Sequence, residues 1–463
     1  VGVTVSEENP NLPVLLTGPF AEFTGRRFTD DRVSIAMGGG RSLLHASAGG
    51  WDIVDIAENP IASSIGGIYS ADTDYNLTTG AFEDYLKALG GGGTVSATVP
   101  LKQPPRNLPR LVATGMAAVR RISENPERCI VVIRSWSSGT MLLRTEPFSR
   151  RDIDRVRGFC ERMRFDLVYY YGMEEDEANR FNIVEDSIYH RTILPMIRGD
   201  RRFTRSYVFS VDPATDDRPY FSYFFRVSRL GHLFAQTGRQ WLFVVEGGYI
   251  VLFATFAATL LLAAVFILLP PLCARRYWKR GRLPVLLYFS MIAIGFMFIE
   301  ILLMQKFRRH IANPLYSNSM IIAALLISTG IASFFSDRIE QGRRKKRLFH
   351  ALLGLSLYLL LLMAALEFLF PVMTPVPRIM PLLLPILTMI PLGLCMGLFF
   401  PLGMSALKVG DAAALPWAWS VNGFFSVLAS TGTVLVASNA GLLATALAAL
   451  LCYWMALLFF PSA

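Results

Sequence analysis

From residue 248 onward the chain is a succession of apolar runs, each close to the length of a membrane-crossing helix. No other feature limits the possible folds as much, because about 20 consecutive apolar helical residues span a bilayer's hydrocarbon core. Seven runs have this character: 248–271, 285–305, 316–335, 350–370, 380–404, 415–436 and 440–460. The stretch from Leu286 to Lys346 organises the rest. Its first run, LLYFSMIAIGFMFIEILLM, holds a single carboxylate, Glu300, deep in apolar sequence. A charge at that depth is costly and is expected to face the bundle interior. Helical periodicity brings Phe296, Met297, Met304 and Phe307 near its face, and none of these neutralises a carboxylate. The expected cross-helix partner is Asn422, in the sixth run.

Charges gather at the joints between runs, chiefly Ala274–Arg282 and Ser336–Arg347. The positive-inside rule assigns both joints to the cytosol. The net charge of +10 therefore reads as membrane topology and contact with anionic lipid, not as a nucleic-acid surface. The five cysteines (Cys129, Cys160, Cys273, Cys395 and Cys452) lack metal-ligand spacing and read as small buried hydrophobes. No metal site is expected.

Residues 1–235 have ordinary globular composition and alternate strand with helix. VGVTVSEENP, VSIAMGGGRSLL, WDIVDIAENP, GGTVSATVPL, CIVVIRSW and FDLVYYYG read as strands. AFEDYLKAL, LPRLVATGMAAVRRI and RRDIDRVRGFCERM read as helices. The alternation predicts an α/β sheet, mostly parallel. Ligands of such sheets bind outside the carboxyl ends of the strands. Glu7, Gly38–Gly40, Asp55 and Glu58 fall at such ends. TDDRPYFSYFF, Thr215–Phe225, reads as a polar turn followed by an alternating aromatic strand, a lid or docking edge.

Several motifs, in order, carry a resemblance: VTVSEENP, RVSIAMGGGRSLL, WDIVDIAENP, GGIYSADTDYNLTTGAFEDYLKALGGGG and VDPATDDRPYFSYFF, then GFMFIEILLMQKF, MGLFFPLG and PWAWSVNGFFSVLAS. Together they resemble the membrane-bound relatives of spermidine synthase. That resemblance implies a Rossmann-like, methyltransferase-type α/β domain over residues 1–235. An all-α polytopic transmembrane domain of about seven helices would follow over 236–463. It implies S-adenosylmethionine, or its decarboxylated form, as cofactor. Glu7 then occupies the place of the acid that binds the ribose hydroxyls, with Gly38 and Gly40 beside it. Where the family has Gly-Asp after the next strand, this chain has Gly38-Gly39-Gly40, so the adenine-reading acid is replaced by Gly39. The family's first strand and glycine-rich loop precede Val1, so a longer protein is expected upstream. Asp55 and Glu58 approximate the family's catalytic acids, and Tyr69 and Tyr75 stand where substrate-lining aromatics belong.

The resulting expectation is an inner-membrane aminopropyl- or methyltransferase acting on an amine or a lipid-linked acceptor. The alternative is a transporter or ligand sensor whose Rossmann-like domain binds without turnover. Cofactor chemistry assigns the soluble domain to the cytosol. Seven alternating spans oppose that, unless residues 241–273, broken at Gly247-Gly248, fail to cross once cleanly.

Overall fold

The computed structural model describes residues 2–47, 49–57, 73–229, 231, 247–269, 283–309, 314–368 and 380–461. By internal contacts the chain forms two compact units: Leu43–Val251, and Val1–Ser42 together with Leu252–Ala463.

The amino-terminal segment holds β1 (Val3–Glu7), α1 (Asn11–Thr17), β2 (Val33–Met37) and the start of α2 (Gly40–Ala46). β1 and β2 pair in parallel, Val3 opposite Val33 and Glu7 opposite Met37. Their carboxyl ends therefore lie side by side.

The unit Leu43–Val251 is built on β3 (Trp51–Ala57), α3 (Thr79–Ala88), β4 (Leu89–Pro100), α4 (Asn107–Val119), β5 (Ile130–Arg134), β6 (Ser138–Leu143), α5 (Arg150–Met163), β7 (Asp166–Tyr169), α6 (Ile188–Arg198) and α7 (Arg201–Ser206). The strand order is β3-β4-β6-β5-β7. Only β3 and β4 pair in parallel; the pairs β4–β6, β5–β6 and β5–β7 are antiparallel. This corrects the expectation of a mostly parallel sheet. The cause is SGTMLL, not read as a strand, which follows β5 after only Ser135–Ser137. A turn that short makes a hairpin, whereas parallel strands need a long crossover.

The run Gly90–Gly93 has a backbone reason. The β3–β4 register jumps from Trp51 opposite Leu89 to Ile53 opposite Thr94. A Cβ on Gly93 would lie 2.6 Å from the Trp51 carbonyl oxygen, and Gly92 sits at φ +76°. Backbone crowds backbone at Gly93 and the left-handed φ favours glycine at Gly92.

Helix α4 is buried along nearly its whole length. It packs among α3, α6 and the sheet, with Leu111, Val112 and Val119 in one cluster with Phe82, Val95, Val132, Met141 and Ile193. Each such side chain contributes about 1.5–3 kcal/mol by leaving water. Helix α5 is amphipathic: Ile153, Val156 and Cys160 recur at helical spacing and pack on Leu142, Phe165 and Leu167. It begins in a capping box, in which Ser149 Oγ accepts from Asp152 N and the Asp152 carboxylate accepts from Ser149 N. Residues 219–225 are not a strand. Tyr220, Phe221, Tyr223 and Phe224 are buried in irregular backbone, and Phe224 N donates to Tyr249 Oη at 2.6 Å. The segment is buried core in place of the alternating strand expected as a lid or docking edge, and it follows a bridge between Thr215 and Arg218.

The helical region holds α8 (Gly247–Ala263, continued by a π-helical turn Ala264–Leu268), α9 (Leu283–Phe307), α10 (Pro314–Ser336), α11 (Arg344–Phe368), α12 (Met380–Met396), α13 (Phe399–Gly410), α14 (Leu415–Ala440) and α15 (Leu442–Leu458). Among the described residues, six helical stretches are long and apolar enough to cross a membrane. The seventh, Leu442–Leu458, has 17 residues, about 26 Å at 1.5 Å per residue against a core of about 30 Å. Gly247 and Gly248 lie within α8, which continues through the π-helical turn to Leu268, and residues 241–246 of the expected interfacial piece lie outside the described residues. Helix α9 is central, packing on both α14 and α15. Leu262 and Phe266 of α8 and Phe334 of α10 are exposed, an apolar outer surface suited to lipid.

Candidate functional site

The predicted residues fall into three places. The first is the paired end of β1 and β2. Because Glu7 is opposite Met37, the next residue, Gly38, turns beside it. Gly38 N donates to the Glu7 carbonyl at 2.8 Å, and Ser6 Oγ donates to the Gly38 carbonyl at 2.6 Å. Gly38 has φ +124°, a conformation that side chains disfavour. A Cβ on Gly39 would meet Glu8 Oε1 at 3.4 Å, and one on Gly40 would meet Ser6 Oγ at 3.5 Å. Glu7 is half-buried, and its Oε1 accepts from Asn9 N at 2.7 Å. The structure thus brings Glu7 and Gly38–Gly40 together as a half-buried carboxylate beside half-buried turn backbone.

The second place is the carboxyl end of β3 and β4. Asp55 is exposed on β3, the edge strand, opposite Ser96. Glu58 and Tyr69 lie outside the described residues. Tyr75 is buried, at 7% exposure, which suits a packed ring better than an open substrate wall. The segment around it is stitched to a motif far away in sequence. Asp74 N donates to the Pro219 carbonyl at 2.6 Å, and Thr78 Oγ1 donates to Asp216 Oδ1 at 2.5 Å. Thr79 donates to the Ala214 carbonyl through both N and Oγ1, at 2.8 and 3.0 Å. Thr78 also caps α3 by accepting from Ala81 N. Beyond β4, the Lys102 and Pro105 carbonyls accept from the Tyr189 and Tyr207 hydroxyls at 3.2 and 2.6 Å. Burial raises both phenols above their ordinary range, so they stay protonated donors at neutral pH. The Asp74–Thr78–Asp216 link had no local signal, since its halves only look like two separate polar turns.

A cavity of about 110 Å³ opens elsewhere in this unit, between α5 and the loop after β7, lined by Arg157, Cys160, Glu177 and Phe181 among others. Burial pushes the Cys160 thiol up to about 11, which makes it inert as a nucleophile.

The third place is in the helices. Asn422 Nδ2 donates to the Phe289 carbonyl at 3.2 Å, so Asn422 does tie α14 to α9. It does so eleven residues before Glu300, about 16 Å along the helix. Glu300 is half-buried and makes no hydrogen bond among the described residues. This corrects the expected Glu300–Asn422 pair, because a one-carbon amide cannot span that rise. A charge cluster does form at the ends of α9 and α11. The Lys306 ammonium meets the Glu367 carboxylate, and an Arg309 guanidinium nitrogen lies 2.9 Å from the other Glu367 oxygen. The Lys306 side chain is only 3% exposed. In sequence Lys306 and Arg309 stand in a basic turn and Glu367 inside the run 350–370, and only their meeting marks them as an ion cluster. No protein-family model and no curated protein matches the chain.

Proposed function

We propose that this chain is an integral inner-membrane transferase of the spermidine synthase-like type, using S-adenosylmethionine or its decarboxylated form. The observation that carries this reading is that Glu7 and the Gly38–Gly40 turn lie side by side at the end of a parallel strand pair, joined by the bond from Gly38 N to the Glu7 backbone carbonyl. A carboxylate there is suited to accept from two vicinal ribose hydroxyls, and a turn without side chains lets a nucleoside approach the backbone. In the reaction, the lone pair of an amine acceptor attacks the carbon bound to the sulfonium. The carbon–sulfur bond breaks, the thioether leaves with the electron pair, and the new ammonium gives its proton to a carboxylate. Asp55 and Glu58 are the acids assigned to that proton and to holding a cationic amine.

The test is calorimetry of both cofactor forms on the full chain. Binding is expected for one of them, and Glu7→Gln should weaken it by roughly 1–3 kcal/mol. Unchanged affinity in the variant removes Glu7 from the site, and no binding of either form removes the transferase reading.

A second reading, a transporter or ligand sensor, is favoured by the Lys306–Glu367–Arg309 cluster. Ionisable groups among membrane helices commonly mark ion or substrate paths. Uptake of a charged solute by vesicles holding the chain, lost in Glu367→Gln, would support it.

A further inference from the structure

We propose that one end of the five-stranded sheet unit is a lipid-contacting surface, in which Trp136, Met163, Phe181 and Ile183 enter the headgroup boundary of the bilayer and Arg164 and Arg180 meet its phosphates. These residues come from three separate segments, and one buried ion pair gathers them. Arg134, the last residue of β5, pairs with Asp166, the first of β7, at 3.1 Å, and both side chains are almost fully buried. Asp166 accepts from the backbone N–H groups of Arg180, Phe181 and Asn182 at 2.7, 2.7 and 2.8 Å. Arg134 donates to Asn179 Oδ1 at 2.8 Å and to the Asn182 carbonyl. Asn182 Nδ2 in turn donates to the carbonyl of Arg164, at the end of α5. The loop 179–183, the end of α5 and the β5–β6 hairpin tip are therefore one rigid edge.

The hairpin tip is just as firmly held. Ser135 N donates to the Ser138 carbonyl at 2.8 Å, Ser135 Oγ accepts from Ser138 N at 3.1 Å, and Leu101 N donates to the Ser137 carbonyl at 2.7 Å. On this fixed frame the apolar groups are left in water: Trp136 and Ile183 are each 72% exposed, Met163 53% and Phe181 40%. A rigid turn that presents an indole and three further large apolar side chains keeps up a standing hydration cost. Arg164 and Arg180 are exposed beside them. Asp166 is consumed by the ion pair, and the exposed acid Glu161 lies three residues back on α5.

Tryptophan and other large apolar side chains with flanking arginine are the composition of a membrane-interface contact. The occupant follows from the chain itself, whose apolar helices are long enough to cross a bilayer and so keep one within reach. The inference stands whether or not the unit transfers a group.

The test uses the full chain in vesicles of phosphatidylethanolamine and phosphatidylglycerol, with p-benzoylphenylalanine replacing one residue at a time. After illumination, phospholipid adducts are read by mass spectrometry. Positions 136 and 183 should give lipid adducts, as should Phe334 on the outer surface of α10. Glu124, exposed in the turn before β5 at the opposite end of the sheet, should give none. Adducts at 334 without adducts at 136 and 183 would overturn the proposal. So would cross-links from 136 to polypeptide in place of lipid, which would mean that a protein surface covers this edge. Arg164→Gln with Arg180→Gln should lower the yield at 136 several-fold, and an unchanged yield would remove the phosphate contact.

Discussion

Glu300 and Glu367 show how poorly a residue's prominence in sequence ranks its energetic role. Glu300 stands alone in an apolar run yet makes no hydrogen bond among the described residues. Glu367, near the end of its run, holds both Lys306 and Arg309. Losing the Glu367 charge leaves a buried ammonium unmatched. Glu367→Gln should therefore destabilise the helices by about 3 kcal/mol, the lower end for a broken buried pair, because Glu367 is itself 31% exposed. Glu300→Leu should cost less, since it removes a charge and strands no partner. Thermal unfolding of both variants in detergent checks the order. Glu300→Leu falling below Glu367→Gln would restore Glu300 as the organising group.

Between elements, contact distance is set by glycine. Helix α10 packs on α12, and a Cβ on Gly397, in the turn after α12, would lie 2.6 Å from both Cα and O of Thr329. Those are backbone atoms that no rotamer change can move, so the helices must part. Small residues at such contacts are what allow close packing where lipid supplies no hydrophobic drive. Gly397→Ala should destabilise by about 1–3 kcal/mol, as overpacking does. Gly330, also in α10, has nothing within 4 Å of its would-be Cβ. Gly330→Ala should be neutral or slightly stabilising, since alanine is the better helix former by about 1 kcal/mol. Equal melting temperatures for the two variants would contradict the close-packed α10–α12 seam.

For the whole molecule, the decisive quantity is the number of crossings. The positive-inside rule predicts a cytosolic position for the basic joint Ser336–Arg347. Helix α8 is a single unbroken apolar helix, and one crossing there leaves the residues before it on the side opposite the joint before α9. The transferase reading requires those residues in the cytosol, where its cofactor is made. Single cysteines in a cysteine-free background decide this. At Lys345, an impermeant thiol reagent added to intact cells should find no target. At Ser47, the transferase reading expects the same protection. Labelling of Ser47 from outside, with Lys345 protected, would place the sheet unit outside and withdraw the cytosolic cofactor from it.

Length and periodicity, both local properties, were enough to locate the seven apolar runs and the helix Arg150–Met163, but not the division of the run 380–404 into α12 and α13 or the Ser149 cap of α5. Local pattern also located β1, β2, β3 and β5, each a short run bounded by turn residues, and the carboxyl part of β4. For the same reason Glu7 and Gly38–Gly40 could be grouped in advance, since each closes its own strand. The sheet's mixed pairing was not legible, because β6 is a short run of mixed character that becomes a strand only between β4 and β5. Nor were the pairs that carry the interior. Thr78 finds Asp216 across 138 residues, and Lys306 finds Glu367 across 61. A hydrogen bond or ion pair between distant residues leaves no periodic trace in either segment. Each half reads as an ordinary polar residue until packing excludes water and makes the partner obligatory.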